Sequence, residues 1–143
     1  EQFRIRGKNI EDPAARTAIC YCSLNPTYVR LLTWHAFLLT TKTCTSREVD
    51  LALYQFFEHY RISYMQKAES FTLPQLRFLK AYLQEWSKLC SREDLRKYGL
   101  QSSSRIARIK KSLCRKEILY LFHGEIYLRD PLFCQWLKSH YFR

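Results

Sequence analysis

Three of the four prolines in this chain directly follow an Asp or an Asn: Asp12-Pro13, Asn25-Pro26 and Asp130-Pro131. Each pair is a helix-start signal. The short polar side chain accepts from the free N–H groups of the first turn, and proline fills a position whose N–H would have no partner. Only 3 Gly are present, too few for the tight turns of a many-stranded β sandwich, so helices are favoured. The first pair predicts a helix from Asp12, the N-cap, to about Ser23. The second predicts one from Pro26 to about Leu39. That helix is apolar on most sides (Val29, Leu31, Leu32, Trp34, Phe37, Leu38), which predicts burial all round. Thr45 and Glu48 then form a capping box for a long third helix to about Ala68. Its residues Val49, Ala52, Leu53, Phe56, Phe57, Tyr60 and Tyr64 recur at helical spacing as one core-facing stripe.

The second half has a different texture. Thr72 caps a helix expected to turn Leu73, Leu76, Leu79, Leu83 and Trp86 inward. Ser91 with Asp94 opens a short helix that stops at Gly99. Ser102 to Ser104 precede a further helix, to about Lys116. Two short strands, Ile118 to Phe122 and Glu125 to Arg129, flank His123-Gly124, a tight hairpin turn. Asp130-Pro131 caps a last helix, Leu132 to Tyr141. Helix, short helix, helix, hairpin is the order of a winged helix-turn-helix. The expected fold is therefore mainly α: a three-helix bundle over residues 1–69, then a winged helix-turn-helix with one short β-hairpin over residues 70–143.

Composition narrows the function classes. The chain is 47% hydrophobic and 15% aromatic, enough to build a core, which excludes a disordered chain. The longest apolar run, Leu31 to Leu39, falls well short of the ~20 residues of a membrane span. A cytoplasmic protein with no membrane partner is expected. The six cysteines include no C-x-x-C pair and stand at no metal-ligand spacing from the histidines, so free thiols and no metal site are expected. The chain begins with Glu1 and holds one methionine, Met65, which suggests a segment of a longer protein.

Charge is uneven. Residues 1–70 carry 9 basic and 7 acidic residues, net +2, and residues 71–143 carry 15 and 6, net +9. Arg105, Arg108, Lys110, Lys111, Arg115 and Lys116 form a run with no acid between them, which points to a polyanion, most often nucleic acid. With Arg105 at zero on a helical wheel, Ile106, Ile109 and Leu113 fall at about 100°, 40° and 80°. Arg108, Lys111 and Arg115 fall at about 300°, 240° and 280°. One side can be buried while three cations point outward. Ser102, Ser103 and Ser104 stand at the N-terminus, where hydroxyls and free N–H groups suit phosphate. The outward set lacks Asn and Gln, with Gln101 just before the helix. Phosphate and guanine contacts fit it better than a detailed base code. A protein-docking surface and a plain solvated face are the alternatives.

Catalytic patterns are absent from the sequence. Gly7-Lys8 lacks the glycine loop and the Ser/Thr of a phosphate cradle, and no Ser/His/Asp set, H-E-x-x-H motif or nucleophile elbow occurs. Glu58-His59 reads as a surface pair. By itself the chain is not expected to be an enzyme, and no catalytic residue is assigned.

The stretch Asn25-Pro26-Thr27-Tyr28-Val29-Arg30-Leu31-Leu32 resembles the start of a lid helix in archaeal-type ATPases, P-loop proteins of the AAA+/STAND group. The family's usual glycines before this motif are replaced by Ser23 and Leu24. The stretches Phe71-Thr72-Leu73-Pro74-Gln75, Ser102-Ser103-Ser104 and Asp130-Pro131-Leu132-Phe133-Cys134-Gln135-Trp136-Leu137 are similar to the winged helix that ends those proteins. The resemblance implies a P-loop domain upstream, a helical lid over residues 1–69 and a winged helix over 70–143. It implies Asn25 and Pro26 as nucleotide-proximal positions, with ATP and Mg bound only together with that upstream domain. The implied function is a module that couples nucleotide state to a DNA or protein partner. A free-standing winged-helix DNA-binding transcriptional regulator is the alternative.

Overall fold

The computed structural model describes residues 2–85, 96, 98–100 and 102–143. The chain splits into two compact units, Glu1–Ile62 and Ser63–Arg143, and the division falls inside one long helix. Trp86, the Ser91/Asp94 helix start and Gln101 lie outside the described residues.

The first unit runs α1 (Gln2–Ile5), β1 (Asn9–Ile10), α2 (Asp12–Tyr21), α3 (Pro26–Leu39), β2 (Thr43–Cys44) and the first part of α4 (Ser46–Glu69). Helix α2 starts where Asp12-Pro13 predicts, but Glu11 is its N-cap and makes no side-chain capping bond. Asp12 contributes there as an acidic charge in the first turn. Ala14, Ala18 and Cys22 recur every fourth residue and are fully buried. Short side chains on that stripe let α2 lie close against α3. Asn25 caps α3 with its side-chain oxygen, which accepts from the Thr27 N–H at 3.1 Å.

Helix α3 is not buried all round. Leu32, Ala36 and Phe37 form its buried stripe, whereas Trp34 and Leu38 are 43% and 60% exposed. High apolar content misleads here because one stripe is covered and the rest is not. The indole instead stacks on Phe37 at 5.5 Å. Tyr60 also stays outside the core, tilted on Phe56 at 4.4 Å. Lys8 closes the far end of α3: its ammonium donates to the Phe37 carbonyl at 3.0 Å and lies 4.2 Å over that ring. Strands β1 and β2 form a two-residue parallel pair, Asn9 opposite Thr43 and Ile10 opposite Cys44. The Glu48 carboxylate accepts from the Thr45 hydroxyl at 2.6 Å and the Thr45 N–H at 2.7 Å, closing the box that starts α4. Those bonds, the hydroxyl first, hold the Glu48 carboxyl below its ordinary range.

The second unit takes the end of α4, then α5 (Leu73–Glu85), α6 (Ser103–Arg115), β3 (Leu119–Phe122), β4 (Glu125–Leu128), α7 (Pro131–Trp136) and a π-helical turn (Leu137–Tyr141). Thr72 starts α5, but the buried stripe is Gln75, Phe78, Leu79 and Ala81. Leu73 is exposed because it lies about 160° around the helix from Gln75. His123 and Gly124 have φ of 50° and 81°, the left-handed pair a two-residue hairpin requires. Leu119 pairs with Leu128, Tyr120 with Tyr127, Leu121 with Ile126 and Phe122 with Glu125.

Asp130 caps α7 by accepting from the Phe133 N–H at 2.9 Å. Leu132, Phe133, Trp136 and Leu137 are all buried. Phe133 meets Tyr64 at 5.1 Å and Trp136 at 6.1 Å, and Lys67 lies 4.5 Å over its ring. The single α-helix expected over Leu132 to Tyr141 instead widens after Trp136. The Phe142 N–H donates to the Leu137 carbonyl at 2.9 Å, the five-residue step of a π-turn.

Candidate nucleic-acid interface

Helix α6 divides its residues by side. Ile109 and Leu113 are buried and Ile106 is half-buried. Arg105, Arg108, Lys111 and Arg115 are exposed. This is the division predicted from 3.6-residue periodicity. Ser102 is the N-cap: its hydroxyl oxygen accepts from the Arg105 N–H at 3.3 Å and lies 3.2 Å from the Ser104 hydroxyl. Ser103 and Ser104 are exposed in the first turn, where backbone N–H groups have no helical acceptor.

The basic run does not act as one surface. Lys116 follows the last turn of α6, and its ammonium donates to the Ser70 carbonyl at 2.6 Å. It also reaches Gln75 Oε1 at 3.4 Å and lies 5.3 Å from the Phe71 ring. Lys116 is therefore a tie to the start of α5. The outward set is Arg105, Arg108, Lys111 and Arg115.

Gln75 fixes how α6 is presented. It is 4% exposed. Its Nε2 donates to the Ser112 hydroxyl at 2.8 Å, and its Oε1 accepts from the Thr72 N–H at 2.9 Å. One amide thus completes the N-terminal cap of α5 and pins the inner side of α6. Ser112, Ile109 and Leu113 turn inward together, so Arg108, Lys111 and Arg115 turn outward.

The hairpin follows α6 after three residues and packs against it. The Arg129 N–H donates to the Ile118 carbonyl at 3.0 Å. By strand alternation the 120/127 and 122/125 pairs are also hydrogen-bonded, and the 121/126 pair is not. The Ile126 carbonyl thus points away from β3, and the Tyr82 hydroxyl donates to it at 2.9 Å. Burial pushes the Tyr82 phenol up to about 12. Leu119 and Ile126 face the core. Tyr120, Phe122 and Tyr127 face outward and are exposed, with Tyr120 and Tyr127 stacked at 5.4 Å. The Tyr127 hydroxyl donates to Glu125 at 2.9 Å, which raises its pKa. Sequence reasoning did not single out these rings. The signal was present: a His-Gly turn fixes the register, and the register fixes the outward set.

Asn25 and Pro26 lie in the first unit, apart in the chain from α6. Pro26 is exposed at the first position of α3. It lines an open cleft of about 380 Å³ with Phe3, Ile10, Val29, Arg30, Thr33 and Phe37. Ser23 and Leu24, just before, have φ of 48° and 60°, the left-handed region that favours glycine. Both residues thus adopt a backbone that glycine favours, although neither is glycine. Among the described residues, no group of three or more His, Cys, Asp or Glu side chains is placed to hold a metal ion, and no helix is long and apolar enough to cross a membrane.

Neither a curated protein nor a solved structure matches the chain. The model of one family, described as a probable winged helix domain, matches residues 62–139. That span contains the Gln75 tie, α6, the hairpin and the buried Phe133/Trp136 closure, and covers more than half of the sequence. The chain belongs to this winged helix family.

Proposed function

We propose that the winged helix binds double-stranded DNA through α6, and that the whole chain is the lid and winged-helix module of a P-loop ATPase, coupling nucleotide state to that DNA. One observation carries the DNA reading: Arg105, Arg108, Lys111 and Arg115 are exposed on α6 while its opposite side is buried and pinned by Gln75. Cations held on a fixed helix face neutralise phosphates and release their counterions on binding. Ser102, Ser103 and Ser104 add hydroxyl and N–H donors at the helix start. The ATPase reading is supported by the lid-type motif from Asn25 and by the left-handed backbone at Ser23 and Leu24. In that reading Asn25 and Pro26 are nucleotide-proximal. ATP and Mg²⁺ are held by the upstream P-loop domain, and this chain supplies no catalytic group.

Fluorescence anisotropy of a labelled random duplex at several salt concentrations tests the DNA reading. Three phosphate contacts give a slope of log affinity against log salt of about −3. The triple variant Arg108→Glu, Lys111→Glu, Arg115→Glu should lose most of the binding while keeping the helical circular dichroism. Equal binding by both proteins overturns the reading and leaves α6 as a protein-docking or solvated face. A full-length gene product without a Walker motif overturns the ATPase reading and leaves a free-standing regulator.

A further inference from the structure

We infer that the outward face of the β3–β4 hairpin stacks the unpaired bases of single-stranded DNA where the strand leaves a duplex held by α6. The inference rests on the DNA-binding reading of α6 and names what the neighbouring surface takes.

Three rings share this face. Tyr120 and Tyr127 are 39% and 38% exposed and stack at 5.4 Å with their planes 24° apart. Phe122 is 58% exposed and meets Tyr127 edge-on at 6.4 Å. Single exposed apolar side chains need no explanation, but contiguous ones mark contact surfaces. These rings are held in place by strand register and by the Tyr127 hydroxyl bond to Glu125.

Charge decides what the face suits. Residues 119–128 contain no Lys or Arg and one acid, Glu125. Between its ends the hairpin has no Lys or Arg to neutralise a phosphate, and Glu125 repels one; the exposed Arg129, just past β4, is the nearest cation on its strand. Helix α6, which packs on β3, carries the cations and ends at Arg115, five residues before Tyr120. The division is phosphates on the helix and uncharged rings on the hairpin. Base–aromatic stacking is tolerant of sequence because every base presents a π-face. Bases are available for it only where a duplex is open. A second copy of the chain is disfavoured as the occupant, since each copy carries a net charge of +11 and repels the other. DNA is favoured over RNA because a helix such as α6 enters the major groove of B-form DNA, whereas that of A-form RNA is too deep and narrow.

The test compares a labelled blunt duplex, the same duplex with a single-stranded thymine tail, and the tail alone. The proteins are the chain, Phe122→Ala, and the double variant Tyr120→Ala, Tyr127→Ala. The tail should tighten binding by the wild type. Each variant should lose that gain, roughly fivefold or more per base stacked, with blunt-duplex affinity unchanged. Phe122 is mostly exposed, so Phe122→Ala alone decides the matter if the double variant does not fold. No gain from the tail, or equal gains in wild type and Phe122→Ala, overturns the inference and leaves the duplex reading standing. Insensitivity of duplex binding to the α6 charge reversal overturns both. An RNA tail and duplex bound as tightly as DNA overturn the assignment to DNA. A dimer that Phe122→Ala dissociates overturns it in favour of self-association.

Discussion

Leu24 carries a backbone conformation that its side chain does nothing to offset. Its φ is 60° and it is 78% exposed. The left-handed region costs a residue with a Cβ about 1–2 kcal/mol. Glu117 has the same problem: exposed, with φ of 57°, it stands just past the end of α6. Its N–H donates to Cys114, and the next N–H, of Ile118, reaches back to Leu113. That is a helix-ending motif that normally takes glycine. Leu24→Gly and Glu117→Gly should each stabilise the fold by about 0.5–1 kcal/mol, the relief of strain less the entropy glycine loses. Denaturant unfolding measures this; destabilisation of both variants would show that local bonding already relieves the strain. Glycine at either position would have announced the turn. Leu and Glu hide it, so this part of the backbone was not legible in the sequence.

At the scale of elements, Gln75 is the residue whose loss should matter most for presenting the basic helix. Gln75→Leu keeps the bulk but removes partners of the Thr72 N–H, the Ser112 hydroxyl and the Lys116 ammonium. A cost of about 1–3 kcal/mol is expected, read as a lower denaturation midpoint. Duplex binding by the folded variant should weaken less than in the α6 charge reversal, since the cations remain. The starts of α3, α4, α6 and α7 were legible because each has a short polar side chain placed to bond the first turn, Asn25, Thr45, Ser102 and Asp130. The hairpin was legible because His123-Gly124 permits two left-handed residues in a row. The inward side of α5 was not. Leucine spacing suggested one stripe, but the polar Gln75 is buried for its bonds and Leu73 is left outside. The outward face of α6 followed from periodicity alone. Lys116 did not, because its ties run to Ser70 and Gln75, which lie 46 and 41 residues away in sequence.

At the scale of the whole molecule, Tyr21 in the first unit and Tyr82 and Tyr127 in the second resist ionisation, Tyr21 and Tyr82 most strongly. Tyr21, in the first unit, is pushed up to about 12 by burial, then by its 2.8 Å bond to Asp50 and that carboxylate's charge. Tyr82, in the second unit, is pushed to about 12, chiefly by burial. Both shifts favour the neutral phenol in the folded state. Their contribution to stability is fully present below pH 10.0, the ordinary tyrosine value, and is lost as pH rises through about 12. Glu48 works in the opposite sense. Its folded pKa lies below the ordinary 4.5, so its contribution is present above that value and is lost as pH falls below it. These three groups leave stability level between the two limits and declining outside them. Denaturant midpoints measured across pH should show the alkaline decline in the wild type and a shallower one in Tyr21→Phe and in Tyr82→Phe. Tyrosinate absorbance supplies an independent reading. Tyr21 and Tyr82, two of the 10 tyrosines, should ionise about two pH units after the unfolded value, and each Phe variant should remove one of these late steps. If every tyrosine of the folded chain ionises near pH 10, neither phenol is protected and the alkaline limb has another origin.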